Sequence, residues 1–298
     1  MIDFCGIELA GRVINASGTF DAIAARRTFG ESLRDRFPFA AFVSKTVTVA
    51  QREGNPPPRL WELPAGLMNS IGLPNRGLAG FIEHDLPELA GLPAPLIVNV
   101  MGFDPAQFVL LIEAFGELAE VAALELNVSC PNVETGLEFG ADPQATAALL
   151  ERVRPLTDKP LIVKLTPNAA DPPAVAEAAQ EAGADALSLI NTLRGMALDP
   201  STARPWLGGE TGGVSGPSVR AIALAQVHAV AQRVTIPIVG MGGVQSGRHA
   251  ADLLSVGAAL VAVGTESFRD PAAAIRITAE LDGIEIPGKS GVSVREAG

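Results

Sequence analysis

The sequence predicts an α/β protein built as a single (β/α)8 TIM barrel, with long βα loops on its catalytic face. Three observations carry that prediction. Short β-rich runs alternate about eight times with Ala/Leu-rich runs of helical length. The strand-like runs lack polar alternation, as strands covered on both faces do. No linker-like or low-complexity stretch divides the 298 residues, so one barrel domain is expected over 1–298. An open doubly wound sheet is the alternative, and eight regular units weigh against it.

In chain order, Ile7 to Val13 is expected to form a small hairpin closing the barrel floor. Strand Val13–Ser17 then precedes helix Asp21–Arg36, and strand Ala41–Lys45 precedes helix Gly77–Leu89. Leu96–Val100 leads into Pro105–Ala119, and Ala122–Asn127 into Asp142–Arg154. Leu161–Leu165 leads into Pro172–Ala182, and Ala186–Ile190 into Pro217–Arg233. Ile236–Gly240 and Ala259–Gly264 complete the set, followed by helices Ser246–Val256 and Pro271–Leu281. Three connections exceed what a barrel needs: Thr46–Arg76, Val128–Ala141 and Asn191–Gly216. Each follows a strand, so each falls on the catalytic face, where long loops form pockets and lids.

The net charge of −11, with no Lys/Arg block, argues against a nucleic-acid or anionic-membrane surface. Met1 to Ala10 lacks the pattern of a signal peptide, and no run of about 18 apolar residues suggests a spanning helix. The two cysteines, Cys5 and Cys130, make neither a disulfide framework nor a CxxC metal pattern, so a reducing cytoplasmic setting is expected. Two thiols also cannot hold an iron–sulfur cluster, which takes about four.

The predicted strand ends carry the chemistry. They are Ser17-Gly18-Thr19, Lys45-Thr46, Asn99, Asn127, Lys164, Asn191-Thr192, Gly240-Met241-Gly242-Gly243 and Gly264-Thr265. Turn formers explain the Gly and Asn. They do not explain Lys45 and Lys164, which stand among apolar and β-branched residues. Glycines after the last two strands suit backbone N–H binding of a phosphate. Gln245 occupies the position of the third glycine of G-x-G-x-x-G, so a mononucleotide phosphate is expected and a dinucleotide is not. A cation in the mouth suits a flavin, whose reduction leaves charge near N1; either Lys164 or Lys45 fills that role. Glu125 lies two residues before Asn127 and is expected to pair with Lys164 inside the barrel.

The three histidines, His84, His228 and His249, fall in predicted helices away from strand ends, and the chain has no tyrosine. Cys130, in a loop between Asn127 and Asn132, is therefore the candidate base, whereas Cys5 reads as a buried inert thiol. Asn69, Asn127, Asn132 and Asn191 form a set of amides suited to a planar imide ring, which presents both donor and acceptor.

Together these residues resemble the dihydroorotate dehydrogenases over nearly the whole chain. The pieces that carry the resemblance are Asn15-Ala16-Ser17-Gly18-Thr19, Ser44-Lys45-Thr46, Asn69-Ser70-Ile71-Gly72-Leu73, Leu126–Asn132, Val163-Lys164-Leu165, Ile190-Asn191-Thr192, Gly212–Pro217 and Gly240–Gly243. The resemblance implies an FMN flavoprotein oxidoreductase that converts dihydroorotate to orotate in pyrimidine biosynthesis. It implies Cys130 as the base at C5 and Lys45 touching both flavin and substrate. Asn69, Ser70, Ile71, Gly72, Leu73, Asn127, Asn132, Asn191 and Thr192 would hold the substrate. Ser17, Thr19, Lys45, Thr46, Asn99, Asn127, Lys164, Ile190, Gly216, Gly242, Gly243, Gly264 and Thr265 would line the FMN.

Cysteine as base and a start directly at the barrel resemble the cytosolic classes, in contrast to the membrane-bound, quinone-using class with serine. Cys130 through Gly140, Asn191 through Met196 and 212–217 are most similar to class 1B. That class implies a homodimer of this chain within a heterotetramer, in which an FAD/2Fe–2S partner subunit passes electrons to NAD. The sequence departs from the family pattern at Pro74 and Arg76, where Gln and Pro are expected, and in the acidic Glu134–Glu138 loop. The rival readings are a class 1A-like fumarate-dependent homodimer, a related dihydropyrimidine-oxidising flavin barrel, and a non-catalytic binding barrel.

Overall fold

The computed structural model describes residues 1–129 and 139–286. Its strands, in chain order, are β1 (Ile2–Phe4), β2 (Ile7–Leu9), β3 (Val13–Asn15), β4 (Phe42–Val43), β5 (Leu60–Leu63), β6 (Gly66–Asn69), β7 (Leu96–Val100), β8 (Val121–Asn127), β9 (Leu161–Lys164), β10 (Ala186–Leu189), β11 (Leu193–Gly195), β12 (Gly212–Ser215), β13 (Ile238–Met241) and β14 (Leu260–Val263). Eight of these form the predicted parallel sheet, ordered β3-β14-β13-β10-β9-β8-β7-β4, with helices between successive strands. The sheet curls until its two edges meet, where Ala40 N–H donates to the Val13 carbonyl at 2.9 Å. This is a (β/α)8 barrel.

Local chemistry starts the helices where the chain needs them. Pro105, Pro143 and Pro172 each open a helix (Pro105–Gly116, Pro143–Val153, Pro172–Glu181), where a missing N–H costs nothing. The aspartate before each caps it: Asp104, Asp142 and Asp171 accept from the N–H groups of Gln107, Ala145 and Ala174 at 2.9, 2.8 and 3.2 Å. The first predicted helix is instead two, Ala22–Phe29 and Ser32–Asp35. Gly30, at φ +58°, ends the first by donating to the Arg26 carbonyl at 2.8 Å.

The expected hairpin Ile7–Val13 lies earlier in the chain. It is β1 and β2, joined through Cys5 and Gly6, both at positive φ (+54° and +81°) as a two-residue hairpin turn requires. Val13 already belongs to the barrel. The hairpin does close the floor. Phe4 and Leu9 are buried with Ile14, Ile97, Ile162, Val239 and Leu260, a core distinct from the larger one between strands and helices.

Two of the three long connections are more ordered than loops. They supply β5, β6, β11 and β12, a four-stranded antiparallel sheet in the order β11-β12-β6-β5. Its own small core is Met68, Ala197 and Leu207, with Trp61 and Trp206 edge to face at 5.0 Å. No helix among the described residues is long and apolar enough to cross a membrane.

Candidate active site

A cavity of about 490 Å³ lies between the carboxyl ends of the barrel strands and the four-stranded sheet. Its wall brings together residues from all eight βα units. Of the residues singled out in the sequence, Ser17, Thr19, Lys45, Thr46, Asn69, Ser70, Ile71, Gly72, Leu73, Asn127, Lys164, Ile190, Asn191, Thr192, Gly216, Gly242, Gly243, Gly264 and Thr265 all line it. Cys130 and Asn132 lie outside the described residues. Asn99 is not on the wall. It is fully buried, its Nδ2 donates to Glu125, and its Oδ1 has no partner among the described residues.

One end of the cavity is an anion cradle. The backbone N–H groups of Gly242, Gly243, Gly264 and Thr265 find no acceptor among the described residues. Gly242 and Gly243 stand at φ +131° and +70°, and a Cβ on them would lie 2.6 Å from that of Ala223 and 2.7 Å from that of Arg220. Only glycine lets the turn pass here. Gln245 anchors the turn from behind. Its N–H donates to His249 Nδ1 at 3.3 Å, its carbonyl accepts from Arg276 at 2.9 Å, and its side chain donates to Glu266 at 2.9 Å. Burial, and then the nearby Arg220 charge, draw the His249 pKa down, which keeps Nδ1 an acceptor.

The opposite side carries a relay of amides and hydroxyls. Asn191 Nδ2 donates to Ser129 Oγ at 2.7 Å, and Ser129 Oγ donates to Asn127 Oδ1 at 3.0 Å. Asn127 Nδ2 reaches Thr46 Oγ1 at 3.4 Å, and Asn191 Oδ1 accepts from the Thr192 N–H at 2.8 Å. Ser129 is the member that sequence reasoning missed. Its signal was position alone, between two residues already singled out.

The Asn69–Leu73 segment is held as a rigid arch. Ser70 N–H donates to the Arg59 carbonyl at 2.8 Å, Asn55 N–H to the Ile71 carbonyl at 3.0 Å, and Arg52 Nε to the Gly72 carbonyl at 3.3 Å. The N–H groups of Ile71, Gly72 and Leu73 have no acceptor among the described residues, so they are available to a carboxylate. Arg52, stacked 4.8 Å over the Phe103 ring, lines the cavity with Asn55, Asn168 and Arg194; none of these was anticipated.

The two lysines enter from different strands. Lys45 opens into the cavity, and removal of water by the surrounding protein lowers its pKa; Asp21 opposes that shift and Arg59 adds to it. Lys164 is buried beside Asn127, with which it is in register. Neither has a carboxylate within 4.0 Å among the described residues.

The expected Glu125–Lys164 pair is therefore corrected. Glu125 is in register with Ile162, one inward-facing position below Lys164. Its carboxylate accepts instead from Asn99 Nδ2 at 2.5 Å and Ser188 Oγ at 2.7 Å. Cys5, read as buried, is only half-buried; that burial, then Asp185 and Asp3, push its thiol up to about 12, and Sγ donates to the Asp185 carbonyl at 3.3 Å.

Comparison with known proteins gives a consistent picture. The sequence model of one family, described as dihydroorotate dehydrogenase, matches residues 1–284. The chain is 43% identical over 293 residues to "Dihydroorotate dehydrogenase B (NAD(+)), catalytic subunit" of Geotalea daltonii, covering 98% of this chain and 94% of the relative. It is 43% identical over 284 residues to the protein of the same name from Bacillus pumilus, covering 95% and 90%. A solved structure of DHODH from Eimeria tenella in complex with ferulenol is similar in fold, with a TM-score of 0.76 at 22% identity over 94% of this chain and 82% of that one.

Proposed function

The chain belongs to the dihydroorotate dehydrogenase family, and from that premise we propose that it is the catalytic subunit of an NAD-dependent enzyme of class 1B type, oxidising dihydroorotate to orotate. The observation that carries this reading is the convergence on one cavity of an anion cradle, two lysines, an amide relay and an arch of free N–H groups.

The cofactor proposed is FMN, one per chain. The donor set fits it. Four N–H groups without acceptors suit a phosphate, and Lys164 and Thr46 on the same wall offer a cation and a hydroxyl to a ring system. Gly216, Gly242, Gly243, Gly264 and Thr265 would hold the phosphate end. Ser17, Thr19, Thr46, Asn99, Asn127, Lys164 and Ile190 would hold the ring system. When bound, FMN supplies a two-electron acceptor for the hydride that leaves C6 of dihydroorotate.

The remaining work falls to side chains and the arch. Cys130, which follows Ser129 in the chain, removes the C5 proton, and loss of that proton with the C6 hydride leaves the C5=C6 double bond of orotate. Ile71, Gly72 and Leu73 offer backbone N–H groups to the substrate carboxylate. Asn69, Asn127, Asn132, Asn191 and Thr192 orient the ring amides. The Asn127–Ser129–Asn191 relay fixes which end of each amide faces the ring, so the ring is read as donor and acceptor at once. Lys45 places a cation beside both substrate and cofactor, and Lys164 neutralises charge arriving on the ring.

Onward transfer requires another protein. The two cysteines of the chain cannot hold an iron–sulfur cluster, so an FAD/2Fe–2S partner subunit is proposed, joined to a homodimer of this chain in the cytoplasm. Anaerobic mixing of the yellow protein with dihydroorotate is the test: the flavin bleaches within the turnover time, and dihydrouracil leaves it oxidised. Bleaching by dihydrouracil alone would favour a different dihydropyrimidine. Reoxidation by fumarate without any partner would overturn the NAD-linked assignment.

A further inference from the structure

Glu125 is a buried carboxylate, 3% exposed, that the mechanism above does not use. It sits on β8 two residues below Asn127, so it faces the same way, one layer of side chains beneath the cavity wall. Two short hydrogen bonds hold it from two other strands: Asn99 Nδ2 on β7 at 2.5 Å and Ser188 Oγ on β10 at 2.7 Å. Each donor serves a different carboxylate oxygen, an arrangement suited to an ionised carboxylate, which only accepts. No lysine or arginine among the described residues lies within 4.0 Å of it. The charge is solvated by dipoles and is not cancelled by contact. Lys164 stands on the neighbouring strand, one inward-facing position nearer the mouth.

A barrel interior ordinarily fills this layer with aliphatic side chains. Neighbouring inward positions do so here, with Ala123 and Ile162. A carboxylate in their place, held by a purpose-built pair of donors, calls for an electrostatic reason. We propose that Glu125 is a positioning residue for the redox step: its negative charge beneath the cavity floor opposes the gain of charge by a bound flavin, and so makes the reduced cofactor a stronger donor for onward transfer. The inference rests on the flavin reading above. Lys164 and Glu125 then act in opposite senses, the lysine easing arrival of electrons and the carboxylate easing their departure. Because the interior has a low effective dielectric, one layer of separation is within reach of a strong interaction.

The test is the midpoint potential of the FMN-loaded protein. Glu125→Gln keeps the shape and removes the charge, and Glu125→Met does so without polar atoms. Both should move the potential positive by an amount equal to at least tenfold in the reduced-to-oxidised ratio, roughly 30 mV for a two-electron couple. Ser188→Ala loses one hydrogen bond and keeps the charge, and should stay within threefold of wild type. An unchanged potential in the neutral variants overturns the proposal. So does a shift in Ser188→Ala as large as theirs, which would make packing the cause. If both neutral variants lose the flavin while Ser188→Ala retains it, the carboxylate is structural and the proposal fails. Wild-type protein that takes up no FMN would instead sink the flavin reading, a separate result.

Discussion

The side-chain amide of Asn15 hydrogen-bonds both backbone groups of Val43: Nδ2 donates to the carbonyl at 2.7 Å, and Oδ1 accepts from the N–H at 2.8 Å. These residues stand on β3 and β4, the first and last strands of the sheet order, so the amide takes the place of a backbone partner where the barrel closes. Asn15 is fully buried. Replacing it with alanine would leave two buried backbone groups unpaired, at about 1–3 kcal/mol each. Asn15→Ala should lower the unfolding free energy by about 2–5 kcal/mol in a urea titration. A loss under about 0.5 kcal/mol would show that the seam closes without it.

Cys130 is proposed as the base. Cys130→Ala should bind FMN normally and slow flavin reduction by dihydroorotate about 10²- to 10⁴-fold at pH 7. Stopped-flow bleaching measures this directly, and a rate within a few-fold of wild type would assign the proton to another group.

The cradle depends on glycine. Gly243 stands at φ +70°, and a Cβ there would lie 2.7 Å from that of Arg220 and 3.0 Å from the Gly216 carbonyl. Gly243→Ala should weaken FMN binding at least tenfold while leaving the far-UV circular dichroism unchanged. Because the clash lies at the phosphate end, riboflavin should bind both proteins alike, and an equal loss for riboflavin would point to general disruption.

Ser129 joins Asn127 to Asn191. Ser129→Ala removes the hydroxyl that accepts from one amide and donates to the other. The expected result is a rise in KM for dihydroorotate of up to about tenfold, in line with about 1 kcal/mol per hydrogen bond, with flavin content preserved. Steady-state kinetics with an external dye gives the answer, and an unchanged KM would remove the relay from substrate orientation.

Lys45 makes a prediction about pH. Its folded-state pKa lies below the ordinary lysine value of 10.5, chiefly through loss of hydration. The unfolded chain therefore binds the proton more tightly, and the charged lysine disfavours folding at every pH below the lowered value. As pH rises through the interval up to 10.5, that penalty disappears. Lys45→Met should raise stability at pH 7, with the gain vanishing above pH 10.5, while abolishing turnover. A variant less stable than wild type at pH 7 would contradict this sign.

Much of the fold was legible in the sequence. Each barrel strand is a run of adjacent apolar residues such as Leu96–Val100 or Leu161–Lys164, and each is bounded by turn formers. The helices between them announce themselves by composition and length. The site was legible in outline for a related reason: the carboxyl end of a barrel strand faces the cavity whatever the rest of the chain does, so Lys45, Asn127, Lys164 and Gly242 were findable from strand ends alone.

The pairings were not legible. Glu125 finds Asn99 and Ser188, which are 26 and 63 positions away, and makes no ion pair with Lys164 on the next strand, although Ser188 stands in register with that lysine. Asn15 meets Val43 only once the sheet has curled, and the four-stranded cover joins segments about 150 residues apart. Alternation and strand-end identity are properties of neighbours in sequence, so the chain alone determined them. Register, closure and which amide faces which carboxylate depend on the relative placement of distant strands, and only the packed barrel decides that.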